Sequence, residues 1–228
     1  MENILSFLRK LKTNNNRAWF EEHKEEYNEA KNDFEKIGNA LILKISTFDD
    51  DIGKVNIKDC IFRIYRDLRF TPDKTPYKTH FGASIAYPNG RKSPRARYYL
   101  HIDPNDNSFF SVGVWSPKSP ILNALRRSIF ENYNEFKEII DEPDFDAVFG
   151  NSFYEKGKLK RIPIGFPANF ENPDILKLKH YLVTAKLTDK EILSSNFLDF
   201  VTQLAKIAYP FVQFLNYTID EEKQLLAY

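Results

Sequence analysis

The sequence predicts an α+β fold, a mostly antiparallel sheet from the middle of the chain packed against long N-terminal, central and C-terminal helices. Three observations predict it. Before residue 46, and again in the second half, apolar residues recur at spacings of three and four, the period of amphipathic helices. Between residues 60 and 115 the period shortens to two, and turn residues bound segments of strand length. No internal repeat, low-complexity tract or charged linker divides the 228 residues, so a single domain over 1–228 is expected.

Ile4, Leu5, Leu8 and Leu11, set among Arg9, Lys10 and Lys12, make a short basic amphipathic helix that is expected to pack on the domain rather than on a membrane surface. The run Trp19, Phe20, His23, Tyr27, Ala30, Phe34, Ile37 and Leu41 predicts a helix over 16–46. Asn14, Asn15 and Asn16 offer it an N-cap oxygen, Glu21 and Glu22 suit the positive end of its dipole, and Gly38 marks an expected kink. Glu21, Glu22, Glu25, Glu26 and Glu29 read as its solvated face.

From residue 60, Phe62, Ile64 and Leu68 alternate with Arg63, Tyr65 and Asp67 as a first strand, followed by strands at 80–87, 96–102 and 108–115. The turn-rich Asp103-Pro104-Asn105-Asp106-Asn107 joins the last two as a hairpin. There Tyr98, Leu100 and Ile102 share one face, while Arg97, Tyr99 and His101 share the other, a candidate working surface. Ser116 or Ser119 caps a helix over 118–141, with a stripe of Ile121, Leu122, Leu125, Ile129, Tyr133 and Phe136, and Pro143 ends it. Residues 150–170 read as loop or edge strand, Tyr181–Leu187 as a strand, and 196–217 as a last helix interrupted at Pro210.

A chain that is 42% hydrophobic and 29% charged lies outside the disordered range, and its 20 Phe, 12 Tyr and 2 Trp predict a core built of rings. The lone Cys60 excludes an internal disulfide and points to the cytosol. No apolar stretch is long enough to span a bilayer, and the N-terminus lacks the hydrophobic region of a secretion signal. Net charge is only +1, which removes the global electrostatic argument for nucleic acid, yet residues 58–97 hold ten Lys or Arg against three Asp.

That basic stretch concentrates in 62–78, where Arg63, Arg66, Arg69, Lys74 and Lys78 accompany Asp67, Asp73 and Tyr77. Guanidinium groups are planar bidentate donors that suit phosphate or carboxylate, so these cations and Tyr77 are the candidate ligand-binding residues for a small anion. Pairing of Arg66 and Arg69 with Asp67, Asp73 or the glutamates of the N-terminal helix is the competing structural reading. His101, Asp67 and Asp73 are the candidates for acid–base catalysis, each with a structural alternative: a satisfied strand histidine, and salt-bridge partners for the arginines.

His23, His80, His101 and His180 show no metal-ligand spacing, so no metal and no cofactor is expected. Asp103-x-Asn105-x-Asn107 opens like a calcium loop, but Ser108 replaces the glycine and Val114 stands at the bidentate glutamate position, which returns it to a hairpin turn. No nucleophile elbow, phosphate loop or dinucleotide fingerprint occurs.

Asn15-Asn16-Arg17 with Trp19-Phe20, and Phe62-Arg63 through Arg66-Asp67-Leu68-Arg69-Phe70 to Asp73-Lys74-Thr75-Pro76-Tyr77-Lys78, resemble the family catalogued as domain of unknown function 2461. Gly113-Val114-Trp115-Ser116-Pro117, Arg126 and Arg161-Ile162-Pro163-Ile164-Gly165-Phe166 are similar to its later motifs, so the resemblance spans nearly the whole chain. It implies no activity, cofactor or catalytic residue. The functional expectation is therefore a binding protein or enzyme for a small anionic ligand. The alternatives are a non-catalytic interaction module, including a homodimer, and a binder of single-stranded nucleic acid through Tyr77, Tyr99 and Trp115.

Overall fold

Ile4, Leu5, Phe7, Leu8 and Leu11 fall on one side of a helix, and in the folded chain each is at most 1% exposed. The computed structural model describes residues 1–69, 71–150 and 152–226, with side chains through Glu222. Phe70 of the central motif and Asn151 of the expected 150–170 segment lie outside these residues.

In chain order the helices begin with α1 (Glu2–Thr13), α2 (Arg17–Glu22), α3 (Lys24–Ile45) and α4 (Ile57–Cys60). Strands β1 (Phe81–Ile85), β2 (Arg97–Ile102) and β3 (Ser108–Val114) follow, then α5 (Ser119–Glu131), α6 (Tyr133–Ile140), α7 (Pro143–Phe149) and α8 (Pro173–Leu176). Strand β4 (Tyr181–Leu187), α9 (Asp189–Leu193), α10 (Phe197–Ile207) and α11 (Tyr209–Leu226) complete the chain. The strands form one antiparallel sheet in the order β1-β2-β3-β4, as the α+β reading requires.

The chain gathers into two compact units, each built from non-contiguous stretches. One unit comprises Met1–Lys92, Tyr99–Phe110 and Lys186–Gln203; within it α1 packs on α3, and α3 and α4 pack on β1. Rings fill this interior: Phe7 stacks on Phe81 at 6.4 Å and Phe34 on Phe81 at 5.4 Å. The other comprises Ser93–Tyr98, Ser111–Ala185 and Leu204–Tyr228, with α11 packed on α5 and α6. Its core groups Phe136, Phe145, Phe153, Phe211 and Phe214.

Local chemistry explains where the elements depart from the sequence reading. The expected 16–46 helix is two helices, α2 capped by Asn16 through the amide of Trp19, and α3 beginning after His23. Gly38 does not interrupt α3. A Cβ there would lie 2.3 Å from Ile57 Cδ1, so glycine instead lets α4 approach closely. The expected strand after residue 60 is not a strand: only isolated bridges join Ile61 to Ala83 and Tyr65 to Tyr77. Pro72 and Pro76 donate no amide, and Asp67 and Asp73 bond the amides of Arg69 and Thr75, holding local turns in place of a ladder.

The expected 118–141 helix breaks at Asn132, and neither Ser116 nor Ser119 caps it; Lys118 is its N-cap residue, without a side-chain bond, and Pro120 occupies its first turn. Pro143 starts α7 rather than merely ending the preceding helix, with Glu142 accepting the amide of Phe145. The final helix breaks ahead of Pro210 but continues to Leu226, past the expected end at 217. Strands β1 to β4 stand where the sequence reading put them, and the hairpin turn carries Asn105 and Asp106 at φ of 69° and 58°.

Cys60 is fully buried, with its thiol 3.5 Å from the Asn56 carbonyl, and burial pushes its pKa from 9.0 up to about 11. That shift alone lowers the thiolate fraction about a hundredfold. A soluble thiol reagent is therefore expected to modify Cys60 at least about a hundredfold more slowly in native protein than in denaturant. Equal rates would show that the thiol is open to solvent.

Candidate functional site

The basic segment runs out from β1 as an extended excursion, joined at its base by the Ile64 carbonyl accepting the Lys78 amide at 2.8 Å, and by the Pro76 carbonyl accepting that of Arg66 at 3.0 Å. Tyr77 anchors it to the helices. Its ring is 3% exposed and stacks on Phe20 at 3.9 Å. Its backbone is met by the Asn15 side chain on both sides, the amide donating to the Tyr77 carbonyl at 2.9 Å and its oxygen accepting the Tyr77 N–H at 3.1 Å.

The cations do not converge. Arg69 makes a two-pronged contact with Asp67 at 2.9 and 2.7 Å, and Arg66 bonds Asp73 and the Thr75 hydroxyl. Lys78 donates to the Arg63 carbonyl at 2.8 Å and lies 5.4 Å over the Phe62 ring, while Arg63 itself is exposed. Lys74 donates to the Leu68 carbonyl at 3.0 Å. The arginine pairs hold both acids ionised: Arg69 keeps Asp67 well below the usual carboxylate range, and the Thr75 amide, then Arg66, bring Asp73 to about 2. Carboxylates so stabilised are weak bases, which counts against an acid–base role near neutral pH.

What remains is an open depression between the α1–α2 connection and the loop, lined by Asn15, Asn16, Arg17, Leu68, Asp73, Lys74, Thr75 and Pro76. Of the proposed cations Lys74 borders it directly, and Arg66 reaches its rim through Asp73 and Thr75. Arg17 is the residue that sequence reasoning missed as a binding group. It stood in the Asn15-Asn16-Arg17 triplet, 45 or more residues from the cluster, and the Asn15–Tyr77 contact brings the two stretches together.

On the sheet, Tyr98, Leu100 and Ile102 are at most 1% exposed, and Arg97, Tyr99 and His101 occupy the other face, half-buried. The Tyr99 hydroxyl lies 3.0 Å from His101 Nδ1, and the imidazole stacks on Phe109 at 4.3 Å. Burial, followed by the charges of His80 and Lys12, takes His101 down to about 3, so its ring is neutral at pH 7. His80, distant from His101 in sequence, packs against it with ring centroids 4.2 Å apart and the rings tilted. With Asp103 these residues form a group whose ligand-capable atoms all lie within 4.8 Å of one another.

The family described as a conserved hypothetical protein, DUF2461, matches residues 3–214. The chain belongs to this family. No curated protein and no solved structure matches it. In this DUF2461 chain the later motifs have structural work: Gly113 lets β3 approach Tyr181, and the Arg126 guanidinium donates to the Leu178 carbonyl at 2.8 Å. Trp115 stands 44% exposed beside Tyr154 and His180. Among the described residues no helix is long and apolar enough to cross a membrane.

Proposed function

We propose that the chain binds a small phosphate- or carboxylate-bearing ligand in the depression beside the basic loop. One observation carries this reading: Arg17 and Lys74 line the same concavity, and among the described residues neither meets a carboxylate. Asp73, the only acid among the described residues of the lining, is paired with Arg66, so the surroundings are net positive. The charge-assisted bonds open to a guest there are those of Arg17 and Lys74, with Arg66 as electrostatic support.

Isothermal titration with inorganic phosphate, pyrophosphate and a dicarboxylate tests it. Binding by at least one is expected, with each of Arg17→Ala and Lys74→Ala weakening it roughly ten- to a hundredfold, the worth of one hydrogen bond to a charged group. No heat with any of the three, or unchanged affinity in the double variant, overturns the reading. Tyr77 and Tyr99 are largely enclosed, and of the three rings proposed to stack on bases only Trp115 presents an open face, so an interaction surface around Trp115 is the better-supported second reading. The single buried thiol of Cys60 supports a cytosolic setting.

A further inference from the structure

We infer that His80, His101 and Asp103 form a binding site for a divalent first-row transition ion. His101 and Asp103 stand two residues apart, the strand spacing that puts both side chains on one face of the hairpin. His80 immediately precedes β1, the neighbour of β2, and so arrives beside them. Two imidazoles and one carboxylate make a mixed nitrogen and oxygen donor set suited to zinc, iron, cobalt or manganese. Three protein ligands would leave positions open to a small molecule, the arrangement of a reactive rather than a purely structural site.

The His101 side chain and the Asp103 backbone are held in place before any ion arrives. Tyr99 fixes His101 at Nδ1 and leaves Nε2 as the nitrogen available to a metal, the outer-shell contact that metal-ligating histidines commonly make. Gly82 makes room for that contact, since a Cβ there would lie 2.6 Å from the Tyr99 hydroxyl. Ser108 pins Asp103 from both sides, its oxygen accepting the Asp103 N–H and its hydroxyl donating to the Asp103 carbonyl, each at 2.9 Å. The buried Oδ1 of Asp103 pairs with the Lys12 ammonium at 2.6 Å and has no further hydrogen-bond partner among the described residues.

A largely buried carboxylate beside two imidazoles, with a single ammonium as its partner, is a donor set that a cation can complete. Lys12 supplies that charge in the metal-free protein, and a bound ion would displace it. This gives the site a signature that a structural salt bridge lacks: removing the competing ammonium should tighten metal binding.

The test is titration of the full, chelator-treated chain with Zn2+, with Co2+ as a spectroscopic probe. Expected are one equivalent bound and visible Co2+ absorption of nitrogen and oxygen ligation. His80→Gln, His101→Gln and Asp103→Asn should each weaken binding at least about a hundredfold, and Tyr99→Phe about tenfold. Lys12→Met should strengthen it several-fold, a gain that a misfolded variant would not produce. Absence of stoichiometric binding for Zn2+, Co2+, Fe2+ and Mn2+ overturns the assignment. So does full binding in both histidine variants, which would place the ion elsewhere, or weakened binding in Lys12→Met with the fold intact by circular dichroism.

Discussion

Gly113→Ala is expected to be among the most damaging single-methyl additions in the chain. Gly113 sits in β3 at φ 127°, and a Cβ built there would lie 2.0 Å from the carbonyl oxygen of Tyr181 and 3.1 Å from the Cα of Leu182. Both neighbours are backbone of β4, so no side chain can swing aside. The variant must either part the two strands or distort them, in addition to placing an L side chain in a disfavoured backbone region. A loss of about 4 kcal/mol or more is expected, which for a chain of this size lowers Tm by roughly 10 °C. Gly165 supplies the control: its φ is 98°, but nothing lies within 4 Å of the built Cβ. Gly165→Ala should cost only the backbone strain, about 1–3 kcal/mol. Thermal melts of the two variants separate the clash from the strain, and equal losses would mean that β4 yields to the methyl group.

The second large effect is expected at Arg126, which is 5% exposed on α5. Its guanidinium donates to the Leu178 carbonyl just beyond α8 and interacts with the Tyr181 hydroxyl, which itself donates to the Ile175 carbonyl at 3.2 Å. Among the described residues it has no carboxylate partner, and its Nε is buried without a hydrogen bond. The side chain therefore works as a pin that satisfies the end of α8 and the start of β4. Arg126→Ala removes the pin, leaves a buried carbonyl short of its donor and opens a cavity, which together cost about 3–5 kcal/mol. Arg126→Met refills most of the volume and removes a poorly compensated charge, so it should recover about half of that loss or more. Denaturant unfolding of both variants checks the order; a methionine variant as unstable as the alanine one would mean that the hydrogen bonds outweigh the packing.

Periodicity located α1, α3 and α5 because their apolar stripes are buried in a single direction, and alternation located β2 because Tyr98, Leu100 and Ile102 are inward while Tyr99 and His101 are not. Alternation misled at 60–70, where the pattern of a strand is present but Pro76 and the two aspartates satisfy the backbone locally. Pro143 was legible as a boundary but not as a beginning, since proline at a first helical turn and proline after a last one look alike.

At the basic loop, the structural alternative of Arg66 and Arg69 paired with Asp73 and Asp67 was visible in the spacing, and those are the pairs present. Arg17 beside Lys74, and His80 beside His101 and Asp103, were not visible, because each needs a contact between stretches remote in sequence. The one local hint of the second group was His101-x-Asp103, whose two-residue spacing places both side chains on one face of a strand.

The amide of Phe62 donates to the Gly82 carbonyl of β1, and the amide of Tyr154 donates to the Leu182 carbonyl of β4 at 2.9 Å. The outermost strands thus each meet irregular chain on the edge where a second molecule would otherwise add its own backbone. Shortening either segment would uncover more of these strand edges and is expected to raise fibrillar self-association before it weakens the core.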